Sequence, residues 1–448
     1  MKKQQTNLIQ LSDHFDYKRL LRFTFPSIIM LIFTSIYGVV DGFFVSNFVG
    51  KAGFTALNFI YPVLMILSSA GFLLGTGGGA LIALTLGRGD TQKANSLFSM
   101  VVYLSMALGV LLTILGILFL RPAAAFLGAE GELLENCVIY GRIILLATPA
   151  AILQYEFQCL FATAGKPRLG LGITVAAGLT NAVLDALFVA VLPLGLPGAA
   201  AATGIGQCVG GLLPLLYFAR KNDSLLRLTK TAFDGKALIK ICTNGSSELL
   251  SNISSSLVSM LYNIQLLRYA GEDGVAAYGV LMYVNFIFLA TYIGFSVGVS
   301  PVIGYHYGAG NYGELKNLLK KSLLLTSVFA AVMLTSSLLL AKPLSLMFVG
   351  YDEELLEMTL HAFSVYAFSF LFAGFAIFSS SFFTALNDGL TSALISSLRT
   401  LVFQVVAVLV LPLVWALNGI WFSMVAAEFL ALLVAGIFLI GKRARYHY

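Results

Sequence analysis

Residues 26–51 read PSIIMLIFTSIYGVVDGFFVSNFVGK, and their reading decides the fold. Between Arg22 and Lys51 the single charge is Asp41. That interval of roughly 29 residues makes about 43 Å of α-helix at 1.5 Å per residue, more than the ~30 Å hydrocarbon core requires. A carboxylate at such a depth costs on the order of 2.5–3.5 kcal/mol on insertion scales, so its presence points to function. The bland alternative is an aspartate at the outer interface or capped by a neighbouring loop.

The rest of the chain has the same character. Of its 448 residues 58% are hydrophobic and 11% charged, and the mean hydropathy is +0.90. Soluble domains carry about 25% charged residues. The composition predicts an all-α polytopic membrane protein. The net charge of +6 is then a matter of placement, since cytoplasmic loops collect Lys and Arg; it argues for no nucleic acid partner. Cys137, Cys159, Cys208 and Cys242 are scattered without CxxC spacing or a His cluster, which signals neither a disulfide framework nor a metal site. The polar, basic opening MKKQQTNLIQLSDHFDYKRLLRF is expected to stay as a cytoplasmic, amphipathic entry segment at the interface.

Apolar runs give twelve spans, at about 20–46, 55–86, 96–119, 136–163, 168–192, 197–219, 241–269, 275–307, 319–340, 358–386, 391–415 and 418–441. With the N-terminus inside, the inner segments hold Lys2, Lys3, Lys18, Arg19, Arg22, Arg88, Lys93, Lys166, Arg168, the group Arg220 to Lys240, Lys316, Lys320, Lys321, Lys442, Arg443 and Arg445. The outer side keeps Lys51, Arg121, Arg142, Arg268 and Lys342, with acidic turns at Glu130–Glu135, Glu272–Asp273 and Asp352–Glu357. A split of about four to one predicts both termini in the cytoplasm of a multi-pass plasma-membrane protein.

An internal repeat organises the whole. Under a shift of about 221 residues the loops coincide. GKAGFTAL (50–57) lies over GEDGVAAY (271–278), LGRGDTQKAN (86–95) over YGAGNYGELK (307–316), and FATAGKPR (161–168) over FFTALNDG (382–389). Gly198 lies over Gly419. The expected domains are an N-terminal six-helix bundle at 1–219, a basic cytoplasmic linker at 220–240 and a C-terminal six-helix bundle at 241–448. Two halves of equal topology related by an axis along the membrane normal are a transporter design.

Neither GTGGG (75–79) nor GKP (165–167) fits a nucleotide cradle, and no acid pair, Cys–His or Ser–His spacing suggests an enzyme. An ion gradient is the remaining energy source. Asp41 lies about 15 Å from the outer bracket, and Asp185 reaches a similar depth in span five. Asn181 precedes Asp185 by one helical turn and shares its face. Tyr140 and Thr203 enter the same layer from spans four and six. These five form the candidate cation or proton site, with Na+ as one candidate occupant at Asp41, Asn181 and Asp185. Two close carboxylates repel one another, and a proton or cation between them relieves it. Taken singly, Asn181, Tyr140 and Thr203 read equally well as interhelical hydrogen-bonding residues.

The second half offers a different set: Glu248 near the inner start of span seven, Arg399 in span eleven and Glu428 in span twelve. Arg399 with Glu428 or Glu248 reads as a structural ion pair. Glu156, near the inner end of span four, reads as a snorkelling or cavity-facing carboxylate. Asp41 maps to Tyr262 and Asp185 to Val406, so the acidic site is not duplicated. His306 and His361 lie near span ends and make poor ligands. Pro62, Pro149 and Pro301 interrupt other spans, and Pro26, about four turns from Asp41, is a candidate hinge.

Together these residues resemble the multidrug and toxic compound extrusion (MATE) family of cation-coupled antiporters. The likeness is carried by VVDGFFVSNFVGKAGFTAL (39–57), GRGDTQKA (87–94), GAGNYGELK (308–316), ATAGKPR (162–168), PGAAAATGIGQ (197–207), SSLRTLVFQ (396–404) and AAE (426–428). The resemblance implies a V-shaped pair of six-helix bundles related by pseudo-two-fold symmetry. It implies a DinF-like first-half site, with Asp41 on span one, the Asn181–Asp185 pair on span five, and Tyr140 and Thr203 as accompanying polar positions. Glu248 resembles the span-seven glutamate of the NorM-like branch, but span ten has no acid and Asp388 falls in the turn beyond it. Family substrates are commonly bulky organic cations, which Glu156, Glu248 and the aromatic spans suit.

The sequence therefore predicts a monomeric secondary antiporter exporting amphipathic organic cations against H+ or Na+, with no cofactor beyond the coupling ion. The alternative is a lipid-linked precursor flippase or metabolite exporter of the same superfamily. Flippases often have about two more spans and a basic cavity, neither evident here. A receptor or intramembrane enzyme is the alternative from another class.

Overall fold

The computed structural model of the chain describes residues 9–350 and 352–448, without the side chains of Val39 and Lys51. Lys2, Lys3 and the start of the entry segment lie outside the described residues, as does the side chain of Lys51. Among the described residues every regular element is helical.

Spans one to three are Tyr17–Val49, Ala52–Gly87 and Thr91–Phe126. Span four is Gly131–Leu146 plus Thr148–Thr163, bent by 59°. Spans five and six are Pro167–Val191 and Gly195–Ala219. The next helix, Gly235–Gly308, has 74 residues, about 111 Å if straight, nearly four hydrocarbon thicknesses. Gly271 divides it with φ 63° and ψ −152°, giving spans seven and eight. Spans nine and ten are Tyr312–Val349 and Glu353–Ala385; spans eleven and twelve occupy Gly389–Val410 and Pro412–Gly441, and the division between them falls inside the latter helix at Ala416, with φ 48° and ψ −130°. Among the described residues twelve spans result, several starting earlier than hydropathy places them, because their first turns are capped outside the apolar run.

The loop motifs of the repeat are turn chemistry. Gly89 and Gly310 take the left-handed conformation (φ 82° and 67°), which a side chain resists. Asp90 and Asn311 then accept from the amides of Lys93 and Glu314, capping spans three and nine. In the turns before spans five and eleven the left-handed residues are Gly165 and Asn387. This moves the sequence register by one, so that Lys166 and Asp388 are equivalent N-caps. The prolines interrupt less than expected. Pro62 and Pro301 sit inside unbroken helices; only Pro149 accompanies a bend, starting a new helix just after Ala147.

Three apolar clusters make the architecture a V. One cluster runs through both halves at the end carrying the linker, joining Phe98, Phe157 and Phe218 to Phe295, Phe378 and Phe382. At the far end the cores are separate: Val45, Leu57, Leu120 and Leu196 pack within the first half, Tyr262, Leu266, Phe363 and Trp421 within the second. Lipid tails are as apolar as the helices, so span pairs hold by close packing of small residues. Cβ atoms on Gly87 and Gly308 would fall 2.0 Å from the Tyr305 carbonyl and 2.2 Å from the Leu84 carbonyl. These reciprocal contacts lock spans two and eight together at the linker end.

The linker is shorter than expected, because span seven begins at Gly235. It lies along span three: Arg227 N donates to Asn95 Oδ1 at 2.9 Å and Thr229 N to Ser99 Oγ at 2.8 Å. The described part of the entry segment is also not interfacial. Leu11 and Phe15 are buried in the joint core, Phe15 N donates to Glu314 Oε1 at 2.9 Å, and Lys321 Nζ donates to Phe15 O at 2.6 Å. Its apolar side found a protein partner in span nine, so residues 9–16 strap the second half to the start of span one.

Candidate functional site

The site begins with helix geometry. Asn181 and Asp185 are one turn apart in span five, and Asn181 Nδ2 donates to Asp185 Oδ2 at 3.0 Å. The small residues of span six bring that helix close: a Cβ on Gly206 would lie 3.0 Å from the Asn181 Cβ and 3.2 Å from the Ala177 carbonyl. Thr203, nearly one turn earlier, is thereby placed between spans. Its Oγ1 accepts from Asn181 Nδ2 at 3.4 Å and donates to Asp41 Oδ1 at 3.2 Å. Tyr140 is buried beside Thr203 and both acids. The structure thus brings all five expected residues together, from spans one, four, five and six.

Asp185 is 0% exposed and Asp41 half-buried. Asn181 Oδ1 and Asp185 Oδ1 are buried without a hydrogen-bond donor. A buried acceptor with no donor is costly, and a proton or a cation would satisfy it. Among the described residues no three His, Cys, Asp or Glu side chains group as a metal site, which leaves a donor set of hard oxygens.

Sequence reasoning missed the backbone around these acids. Span one turns π-helical at Val45–Val49, just beyond Asp41, and span five at Ala186–Val191, immediately after Asp185. Single π turns are rare and concentrate at functional sites. Neither stretch holds a Pro, Gly or charge that would have signalled it.

In the second half the two acids have no counterpart at the repeat positions. Tyr262, at the repeat position of Asp41, is buried and donates from its OH to Gln404 Oε1 at 3.0 Å, and Val406 is exposed. Arg399 sits in another π turn, Leu398–Val402, and its Nε donates to Glu428 Oε2 at 2.8 Å. Of the two partners foreseen for Arg399, Glu428 makes the contact.

Glu248 and Glu156 are not where the sequence placed them. With span seven beginning at Gly235, Glu248 lies about 20 Å along the helix, half-buried, lining an inter-half cavity with Cys159, Thr163, Ser296 and Ser381. That cavity measures about 40 Å³, too small for a drug-sized ligand. Glu156 does not snorkel: it is 0% exposed, faces Ser105 of span three, and has neither carboxyl oxygen hydrogen-bonded. Pro26 is buried inside span one, which stays α-helical through it.

The model of the MatE family matches the chain twice, over residues 26–187 and 249–410. The chain belongs to the MatE family. It is therefore a multi-pass membrane transporter and not an enzyme. The two matched stretches each run from the first to the fifth span of one half. Curated relatives include the multidrug export protein MepA of Staphylococcus haemolyticus, 27% identical over 92% of this chain and 90% of the relative. MepA of Staphylococcus aureus strain MRSA252 is 26% identical over 94% and 92%. A crystal structure of MATE in complex with MaL6 superposes with a TM-score of 0.92 at 23% identity, covering 99% of both chains. At that identity the superposition speaks for the fold alone.

Proposed function

We propose that this chain is a secondary antiporter that exports amphipathic organic cations in exchange for H+ or Na+. The observation that carries the reading is the Asp41–Thr203–Asn181–Asp185 chain, in which buried acceptor oxygens lack a donor. Such a site binds a proton by protonating one acid, or Na+ through carboxylate, amide and hydroxyl oxygens; hard cations prefer oxygen ligands. Its DinF-like placement in the first half makes coupling asymmetric. Drug export is supported by the relatives named multidrug export protein.

In this reading the six spans on either side of the linker are the two bundles, the second starting with span seven at Gly235, and Pro26 is the hinge of span one. The basic linker end faces the cytoplasm of a plasma-membrane protein, and one chain is the functional unit. The core shared at that end, with separate cores at the far end, fits a state open outward. Alternating access then requires the linker-end contacts to part. Glu248, between the halves, is placed to meet a cationic substrate in that other state. Arg399 and Glu428 act as a structural ion pair.

Everted vesicles carrying the full chain, loaded with a cationic dye under an imposed pH or Na+ gradient, test the proposal. Asp41→Asn and Asp185→Asn should each lower gradient-driven export at least tenfold while leaving membrane expression unchanged. Undiminished export by Asp41→Asn sinks the coupling role. Sodium dependence at fixed pH separates the two ions.

A further inference from the structure

We propose that the linker end of spans one and five forms a binding site for one anionic phospholipid, held by Arg22 and Arg168. Both guanidinium side chains line a single open crevice of about 260 Å³ whose other walls are Leu21, Phe25 and Pro26. Both arginines are exposed. Neither makes an ion pair or a side-chain hydrogen bond to any described residue, whereas Arg19, one turn away, caps back onto the His14 carbonyl.

Depth selects a lipid. From Arg22 to Phe44 is about 33 Å of helix, and from Arg168 to Val191 about 35 Å. Each arginine thus lies one hydrocarbon thickness from the other end of its span, at headgroup level. The wall below is apolar, and Phe25 is 58% exposed, one turn from Arg22 on the same face. Two planar guanidiniums suit a phosphodiester, to which each can donate in bidentate fashion. The apolar wall suits the upper part of an acyl chain. Basic pockets between spans at the membrane surface bind anionic headgroups. The volume falls below the ~300–1,000 Å³ of drug-sized ligand sites, so the crevice takes a headgroup and not a transported substrate. Lys18, four residues before Arg22 on that face and exposed, adds positive charge.

One consequence concerns motion. Pro26 has no N–H, so the Arg22 carbonyl lacks its usual helical donor. A lipid spanning Arg22 and Arg168 ties span one to span five at that weakened turn. These are the two helices that carry Asp41 and Asp185.

Native mass spectrometry of the purified full chain tests this, counting lipid adducts after delipidation and titration with phosphatidylglycerol or phosphatidylcholine. Wild type should prefer phosphatidylglycerol by about tenfold, and Arg22→Gln/Arg168→Gln should abolish the preference. Lys240→Gln, also at the linker end, should keep it. If the double variant does not fold, the single variants Arg22→Gln and Arg168→Gln should each lower the preference several-fold. Equal retention of phosphatidylglycerol by wild type and the variants overturns the site. So does equal binding of both lipids by wild type, and so does displacement of phosphatidylglycerol by millimolar inorganic phosphate, which would make it a free-anion site.

Discussion

Arg399 and Glu428 stand 2.8 Å apart with side chains only 12% and 5% exposed. A buried pair adds little over apolar residues of the same shape, yet removing one member strands a charge at about 3–5 kcal/mol. Arg399→Met should therefore lower the unfolding temperature in detergent sharply. Arg399→Met with Glu428→Leu should restore most of it and retain dye export. A double variant that is stable but inactive would move the pair from the scaffold to the mechanism. The sequence offered Arg399 two partners and left them open, because hydropathy gives the depth of a residue and not the direction it points around its helix. The first-half site was more legible: Asn181 and Asp185 share a face by spacing alone, and Asp41 could be matched to them by depth. For Glu156 depth left two options, the interface and a central cavity; the structure buries it facing Ser105, in the helix that follows the 59° bend at Pro149.

Spans two and eight meet end to end through Gly87 and Gly308, where a side chain has no space. Gly308→Leu should force these helices apart and favour the state in which the linker end opens. Cys159, buried beside the inter-half cavity, reports that opening when it is the only cysteine left. Its labelling by a membrane-impermeant maleimide from the linker side should rise several-fold over the Gly308 parent. Unchanged labelling would show that this contact does not hold the state. Span number and order were readable because a hydrocarbon core admits only long apolar helices. Their inner anatomy was not: no Pro, Gly or charge marks the π turns after Asp41 and Asp185, whereas the break at Gly271 falls between the spans expected at 241–269 and 275–307.

Across the whole molecule the two halves close their linker-end turns with the same latch of reversed polarity. Lys166 Nζ meets Asp223 Oδ2 at 2.6 Å just beyond span six. Asp388 Oδ2 meets Lys442 Nζ at 2.6 Å just beyond span twelve, and Tyr446 OH donates to the same oxygen at 2.8 Å. Burial pushes the Asp388 carboxyl up, but Lys442, Tyr446 and Thr391 outweigh it and hold it below the usual carboxylate range. A depressed value means that the stabilisation is complete above the unfolded value near ~3.8 and lost as pH falls through the folded one. Asp388→Asn should lower the unfolding temperature by the same amount at pH 5 and pH 8, with the difference from wild type vanishing only below about pH 4. A difference that shrinks between pH 8 and pH 5 would contradict this. The charge swap Asp388→Lys with Lys442→Asp should recover only the ion pair's share, because Asp388 also accepts from Thr391 N and Tyr446 OH.

By itself the sequence determined the twelve spans, the repeat, the basic side and the acids of the first half. Each follows from one-dimensional facts: the free energy of placing a residue at a depth, and the identity of loop residues that set turns. Tertiary structure decided which oxygens meet, which glutamate Arg399 takes, where the entry segment docks and which end of the V is closed. Those depend on helix rotation and close packing, where neighbouring arrangements differ little in apolar area, and only contacts between distant residues choose among them.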